Sequence, residues 1–173
     1  MKGVIPFSLA SLVTDRFGKD KWTQVLKAAG LDPGTVFLAV EDVADATVMQ
    51  LLDATCKTLG LTLAQAADAF GDYWVNTTAQ KVYKPYFTGK KTAREFLLRM
   101  DEVHVAATNS IPNAHPPRFS YEWKSDKVLV MTYKSPRGLI DLLPGLVKAV
   151  GKHFHEELEV TKIGASGIQI TFP

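Results

Sequence analysis

At residues 112–118 the chain reads PNAHPPR, and the spacing of its apolar residues changes across that segment. Upstream, apolar residues recur every three or four positions and glycines close the runs, which is the signature of helices. Helices are expected from about Pro6 to Phe17 and from Asp20 to Ala29, where KAAGLDPG supplies a closing glycine and a turn. ADATVMQLLDATCKTLG, ending at Gly60, and TLAQAADAFGDYWVNTTAQ follow, the second opened by a capping box of Thr62 and Gln65. The segment 91–109, KTAREFLLRMDEVHVAATN, is the longest amphipathic run and sets Phe96, Leu97, Met100, Val103, His104 and Ala107 on one stripe, so that His104 is expected to point inward. Downstream, RFSYEW and KVLVMTYKS alternate or run apolar with β-branched and aromatic residues, which reads as two strands joined by a turn in WKSDK. GLIDLLPGLVKAVGKHFHEE reads as a last long helix bent at Pro144, and LEVTKIGASGIQITFP as a closing hairpin turned at GASG. The order predicts an α+β fold, an antiparallel sheet of about four strands covered by helices.

Length and composition bound the rest. A chain of 173 residues, 46% hydrophobic and 22% charged, has the make-up of one soluble domain with a real core. Its net charge is +2 and its basic residues are spread along the chain, which predicts no nucleic-acid partner and no membrane surface. Cys56 is the single cysteine, so an internal disulfide, a cysteine-rich zinc site and a cysteine-ligated iron–sulfur cluster are excluded, and a reducing, cytoplasmic setting is expected. MKGVIPFSLASLV has one Lys, an apolar run broken by Pro6 and no spanning length, and is expected to be structural rather than a leader.

Few residues are placed for chemistry. In YKSPRG, Tyr133, Ser135 and Arg137 stand two apart, and in an extended chain they would project to one side, where a carboxylate or phosphate would suit them. Of four histidines, His115 lies in the Pro-rich loop, and His153 and His155 lie near a helix end where imidazole suits the dipole. His104 differs, because a polar ring on an apolar stripe is costly unless its nitrogens find partners. No His, Cys or pair of carboxylates accompanies it at the spacing of a zinc site. A single imidazole does suffice for haem, whose macrocycle supplies the other four donors, and the two haem propionates are the carboxylates that Tyr, Ser and Arg would hold. Nucleophilic catalysis has little support: there is no Gly-x-Ser-x-Gly elbow, Cys56 has no flanking histidine, and Asp53 disfavours its thiolate. The pairs Glu41–Asp42 and Glu156–Glu157 are adjacent along the chain and read as solvated surface.

Taken in order, MKG at the start, AFG at 69–71, MDEVH ending at His104, PPR and YKSPR resemble the haem-nitric oxide/oxygen-binding domain, H-NOX, the family of the soluble guanylate cyclase sensor domain. The resemblance covers essentially the whole chain as a single domain, 1–173. It implies one haem b (Fe protoporphyrin IX) between a helical N-terminal lobe, about 1–64, and a C-terminal lobe, about 65–173. It implies His104 as proximal iron ligand, Tyr133, Ser135 and Arg137 as the propionate-binding motif, and Pro117 as the proline that distorts the haem. It places the distal pocket at Ile5, Leu9, Trp74, Thr78, Leu142 and Leu146. Oxygen-binding members carry a tyrosine where this chain has Leu142, and a hydrogen bond to the charge on bound dioxygen is worth about 1.5–3 kcal/mol. Nitric oxide depends on it far less, and Trp74 and Thr78 are the remaining donors. The zinc-site cysteines of some relatives are missing.

The resemblance therefore implies a bacterial, non-enzymatic gas sensor that binds nitric oxide and CO at ferrous haem and excludes oxygen. Its output would be a histidine kinase, a diguanylate cyclase or a chemotaxis receptor, as a partner or a fused domain. The alternative is a haem-free domain that uses the same cleft for an apolar carboxylate ligand or for protein contact. A haem enzyme ranks last, because the pocket has no distal acid–base group.

Overall fold

The computed structural model describes residues 1–173 and divides into two compact units, 1–66 and 67–173. In the first, α1 (Val4–Phe17), α2 (Lys19–Ala28) and α3 (Asp45–Leu59) pack on one another. Their buried residues fall at helical spacing: Leu9, Leu12 and Val13 on α1, Trp22, Val25 and Leu26 on α2, Val48, Leu51 and Leu52 on α3. The opening MKG has a steric reason. Gly3 donates its N–H to Glu41 O, and a Cβ built on it would lie 2.0 Å from Leu38 O, so no side chain fits there.

Helix α4 (Leu63–Tyr73) starts on the expected capping box, with Gln65 N–H on Thr62 Oγ1 at 3.2 Å and Thr62 N–H on Gln65 Oε1 at 2.9 Å. In the second unit it runs into a π-turn, Trp74–Thr78, and then into the short helices α5 (Ala79–Val82), α6 (Lys84–Phe87) and α7 (Ala93–Leu97). Helix α8 (Met100–Thr108) leads to β1 (Arg118–Trp123) and β2 (Val128–Lys134); a 3-10 turn (Leu139–Leu142) opens α9 (Leu143–His153), and β3 (Glu159–Ile163) and β4 (Gly167–Thr171) close the chain. The sheet is antiparallel throughout, in the order β1-β2-β4-β3. The fold is therefore α+β with a four-stranded antiparallel sheet, as expected. Leu129, Met131, Ile168 and Ile170 of the central strands are fully buried with Phe96 and Leu97 of α7 and Val147 and Val150 of α9.

Two expected helices differ. The run 91–109 is two helices, because Phe96 and Leu97 are drawn into the core against α9 while α8 beyond them lies along β1 with no buried side chain. The stripe that placed His104 inward is thus half-buried. The last helix is not bent at Pro144 but starts there: Pro144 sits in the first turn of α9, where a missing N–H costs nothing.

Helices α4 and α9 touch backbone to backbone. A Cβ on Gly71 would lie 2.4 Å from Gly145 C, and one on Gly145 would lie 2.2 Å from Ala67 O. Three polar rungs climb both helices in the same direction: Lys148 Nζ to Asp68 at 3.2 Å, Lys152 Nζ to Asp72 at 2.7 Å, and His153 Nδ1 to Asn76 Oδ1 at 3.3 Å. The helices are therefore parallel, with the glycine contact setting their distance and the rungs their register. Gly145→Ala should force them apart and destabilise the protein by about 1–3 kcal/mol in a denaturant titration, as overpacking does, whereas Lys148→Ala should change it by under about 1 kcal/mol.

Candidate functional site

His104 lies in the middle of α8, and its ring is fixed from outside the helix. Nδ1 is 3.0 Å from the carbonyl oxygen of Pro117, which can only accept, so Nδ1 carries the proton and Nε2 keeps a bare lone pair. Two residues that the sequence resemblance paired with one cofactor are thus in direct contact through the proline's backbone. Burial pushes the His104 pKa down, with the Pro117 bond opposing it, so the imidazole is neutral at pH 7. Its ring packs on Phe119 at 5.3 Å between centroids, and Phe119 packs on Tyr133 at 6.1 Å. Phe119 and Tyr133 also face each other across β1 and β2. A line of rings therefore joins α8 to the strand that leads into YKSPRG.

Because α8 buries no side chain, polar bonds attach it. Asp101 takes Arg118 in a two-pronged pair, Nε to Oδ1 at 2.8 Å and Nη2 to Oδ2 at 2.6 Å, and accepts the Phe119 N–H at 2.8 Å. The Asp101 N–H donates to the Tyr121 hydroxyl at 3.2 Å. Arg118, with help from the Phe119 amide, pulls the Asp101 pKa from the usual 3.8 to about 2. Sequence reasoning missed this latch. Its signal was the carboxylate one helical turn before His104 together with the arginine that closes PPR.

Tyr133, Ser135 and Arg137 do not share one strand face. Strand β2 ends at Lys134, so the alternation that would align them stops before Ser135. Ser135 and Arg137 are brought together by the turn instead: the Arg137 N–H donates to Ser135 Oγ at 3.3 Å, and the guanidinium donates to the His115 carbonyl. Tyr133 is buried, with its N–H on Ser166 O at 2.7 Å. In the first unit, Ile5 is half-buried and Leu9 buried on α1. In the second, Trp74 and Thr78 open and close the π-turn, Leu142 ends the 3-10 turn and Leu146 lies one turn into α9, which packs against the π-turn. Trp74 stacks on Phe70 at 6.0 Å and meets Tyr83 at 6.2 Å, and Thr78 is buried. His153, expected only to suit a helix dipole, sits edge-on to Phe87 and Phe154 at 5.0 and 4.9 Å.

The donor set fits haem. No group of three or more His, Cys, Asp or Glu side chains stands together, so the protein offers a metal ion no cage of its own. What it offers is one oriented, neutral imidazole with a free Nε2, and a serine–arginine turn on the neighbouring strand's exit suited to carboxylates. The Cys56 thiol is pushed up by burial and by Asp53, away from reactivity. No helix is long and apolar enough to cross a membrane.

Comparison with known proteins agrees over nearly the whole length. The haem-NO-binding family model matches residues 2–162. The soluble guanylate cyclase gcy-32 of Caenorhabditis elegans is 26% identical over 167 residues, 94% of this chain and 24% of that protein. The chain thus spans about a quarter of the length of such relatives. An H-NOX domain carrying 4-cyano-L-phenylalanine superposes with a TM-score of 0.84 at 27% identity, covering 99% of this chain and 96% of that one. An oxygen-binding H-NOX domain related to soluble guanylate cyclases, in its oxygen complex, gives 0.78 at 27% identity, covering 99% and 95%.

The Asp101 latch should respond to acid in a fixed direction. Its folded pKa is depressed, so its contribution is complete above the ordinary 3.8 and is lost as the pH falls through about 2. Amide exchange in α8 should accelerate over that window ahead of exchange in the sheet, and Asp101→Asn should show the faster exchange already at pH 7.

Proposed function

Because this chain belongs to the haem-NO-binding, H-NOX, family of haem-based gas sensors, we propose that it senses nitric oxide at a ferrous haem b held by His104. The observation that carries this reading is the His104–Pro117 bond, which leaves Nε2 neutral, oriented and without a protein partner. Bound there, a haem would supply the ferrous iron that takes up a diatomic gas. His104 would hold it through Nε2, and the Pro117 carbonyl keeps the imidazole in the tautomer that can ligate. Arg137, with Ser135 and Tyr133, holds the propionates, the arginine exchanging the His115 carbonyl for a carboxylate, which is the stronger acceptor. Pro117, in contact with His104, would be the residue that bears on the haem.

Within the second unit, Trp74, Thr78, Leu142 and Leu146 would line the gas side of the site. Leu142 offers no hydrogen-bond donor where oxygen-binding relatives carry a tyrosine, Leu146 offers none either, Trp74 is packed against Phe70 and Tyr83, and Thr78 has a partner of its own. The pocket therefore favours nitric oxide and CO over oxygen. Output begins at α8. That helix has no fully buried side chain, so a change of load on His104 Nε2 is resisted by the Pro117 bond, the Asp101 latch, the Tyr121 hydroxyl and the partly buried contacts of Met100 and of the His104 ring on Phe119. Its position reports that load to a partner protein or a fused output domain, such as a histidine kinase, a diguanylate cyclase or a chemotaxis receptor.

An anaerobic ferrous spectrum, recorded before and after nitric oxide and air, tests the reading. A haem Soret band that shifts with nitric oxide and CO but gives only slow oxidation in air is expected; a stable oxygen complex would overturn the selectivity, and a protein that takes up no haem would point to the haem-free alternative. His104→Gly should lose haem or need added imidazole to keep it, while His153→Ala should retain it. Arg137→Ala should lower haem retention more than Tyr133→Phe, since a charge-assisted bond is roughly twice as strong as a neutral one. Leu142→Tyr should add a donor and raise oxygen affinity by about tenfold for each 1.4 kcal/mol that the new bond supplies.

A further inference from the structure

The π-turn at Trp74–Thr78 is a costly conformation that the structure holds by two separate devices. The Ala79 N–H reaches back five residues to Trp74 O, so Val75 O loses the amide that a regular helix would give it. Gln80 replaces that amide, its Nε2 donating to Val75 O at 3.0 Å. A buried carbonyl left unpaired would otherwise favour return to the α register. The second device is a clip. Asn76, in the middle of the turn, donates through Nδ2 to Asp72 Oδ1 at 3.2 Å, and Asp72 is held in turn by Lys152 at 2.7 Å. The Asn76 Oδ1 accepts from His153 Nδ1 at 3.3 Å, and the His153 ring is wedged between Phe87 and Phe154. Lys152 and His153 both belong to α9, the helix that carries Leu146.

The turn begins and ends on the two polar residues of the proposed distal wall. Each residue of regular helix advances the chain by about 100°, so losing the extra residue would rotate Thr78 by that amount relative to Phe70 and Trp74. We propose that Gln80 and Asn76 are positioning residues for gas discrimination: by holding the π-turn they fix where Trp74 and Thr78 stand toward the bound gas. The proposal rests on the haem reading above. Neither side chain touches the gas, and both act through the backbone of the turn.

The test uses Gln80→Glu, which keeps size but presents a carboxylate instead of a donor to Val75 O, and Asn76→Ala, which opens the clip while leaving Asp72 with Lys152. Amide exchange across residues 74–80, in the haem-free and haem-loaded protein, should rise about fivefold, the worth of one side chain to backbone hydrogen bond. In the ferrous CO complex, the C–O stretch should shift and CO dissociation should change by about three- to tenfold, while the iron–His104 stretch and haem loading stay as in the unmodified protein. Unchanged exchange would show that the side chains do not hold the turn. Faster exchange or a lower melting temperature with unchanged CO stretch and CO and nitric oxide rates would show a structural role only, and either result overturns the proposal. Failure of the haem reading is told apart because the unmodified protein would then take up no haem, which removes both readings while the exchange measurement still reports on the turn.

Discussion

The attachment of α8 rests on hydrogen bonds instead of burial, and the behaviour of the candidate site follows from that. A helix whose apolar face is buried moves only at a cost that grows with every methylene exposed. Helix α8 has no fully buried side chain; beside the partly buried Met100 and the His104 ring on Phe119, it is tied by the Pro117 carbonyl on His104, the Asp101–Arg118 pair with the Phe119 amide, and the Tyr121 hydroxyl. Such bonds are directional: they define one position sharply and lose most of their worth over a short displacement. The helix is therefore well placed at rest and inexpensive to release, which suits the sensing role proposed for it.

The packing of α4 on α9 shows the opposite regime. There α4 and α9 meet through two glycines, and Phe87, Phe96, Leu129, Met131, Ile168 and Ile170 fill a dry core beside them. The rungs from Asp68, Asp72 and Asn76 to Lys148, Lys152 and His153 are partly solvated and add little strength each. Their value is directional, since three of them along parallel helices fix a rotation that the smooth glycine contact leaves open.

Much of this was legible in the sequence. The switch of period at PNAHPPR separated helices from strands, the Thr62–Gln65 pair located the start of α4, and MKG, MDEVH, PPR and YKSPR carried the family. What misled was local pattern where tertiary packing decides: the stripe through 91–109 reads as one helix although Phe96 and Leu97 belong to the core and His104 does not. The even spacing of Tyr133, Ser135 and Arg137 suggested a strand face, but β2 ends first and a turn does the gathering. The π-turn was not legible at all. WVNTTAQ has ordinary helical composition, and of the two devices at its extra residue one, the Gln80 bond to Val75 O, has no recognised sequence signature, while the other lies in partners about 80 positions away, on α9.

The glycine contact has a consequence for how such a chain can change over generations. Any side chain at Gly71 or Gly145 meets backbone within 2.4 Å, so these two positions admit essentially no variation. Leu142 and Leu146, one turn apart on either side of α9's start, meet their neighbours through side chains, so a substitution there is taken up by repacking and not by parting two backbones. Intolerance is concentrated where there is no side chain to lose. On the proposed reading, a lineage could change its gas preference by substituting at the second pair while the first keeps the architecture intact.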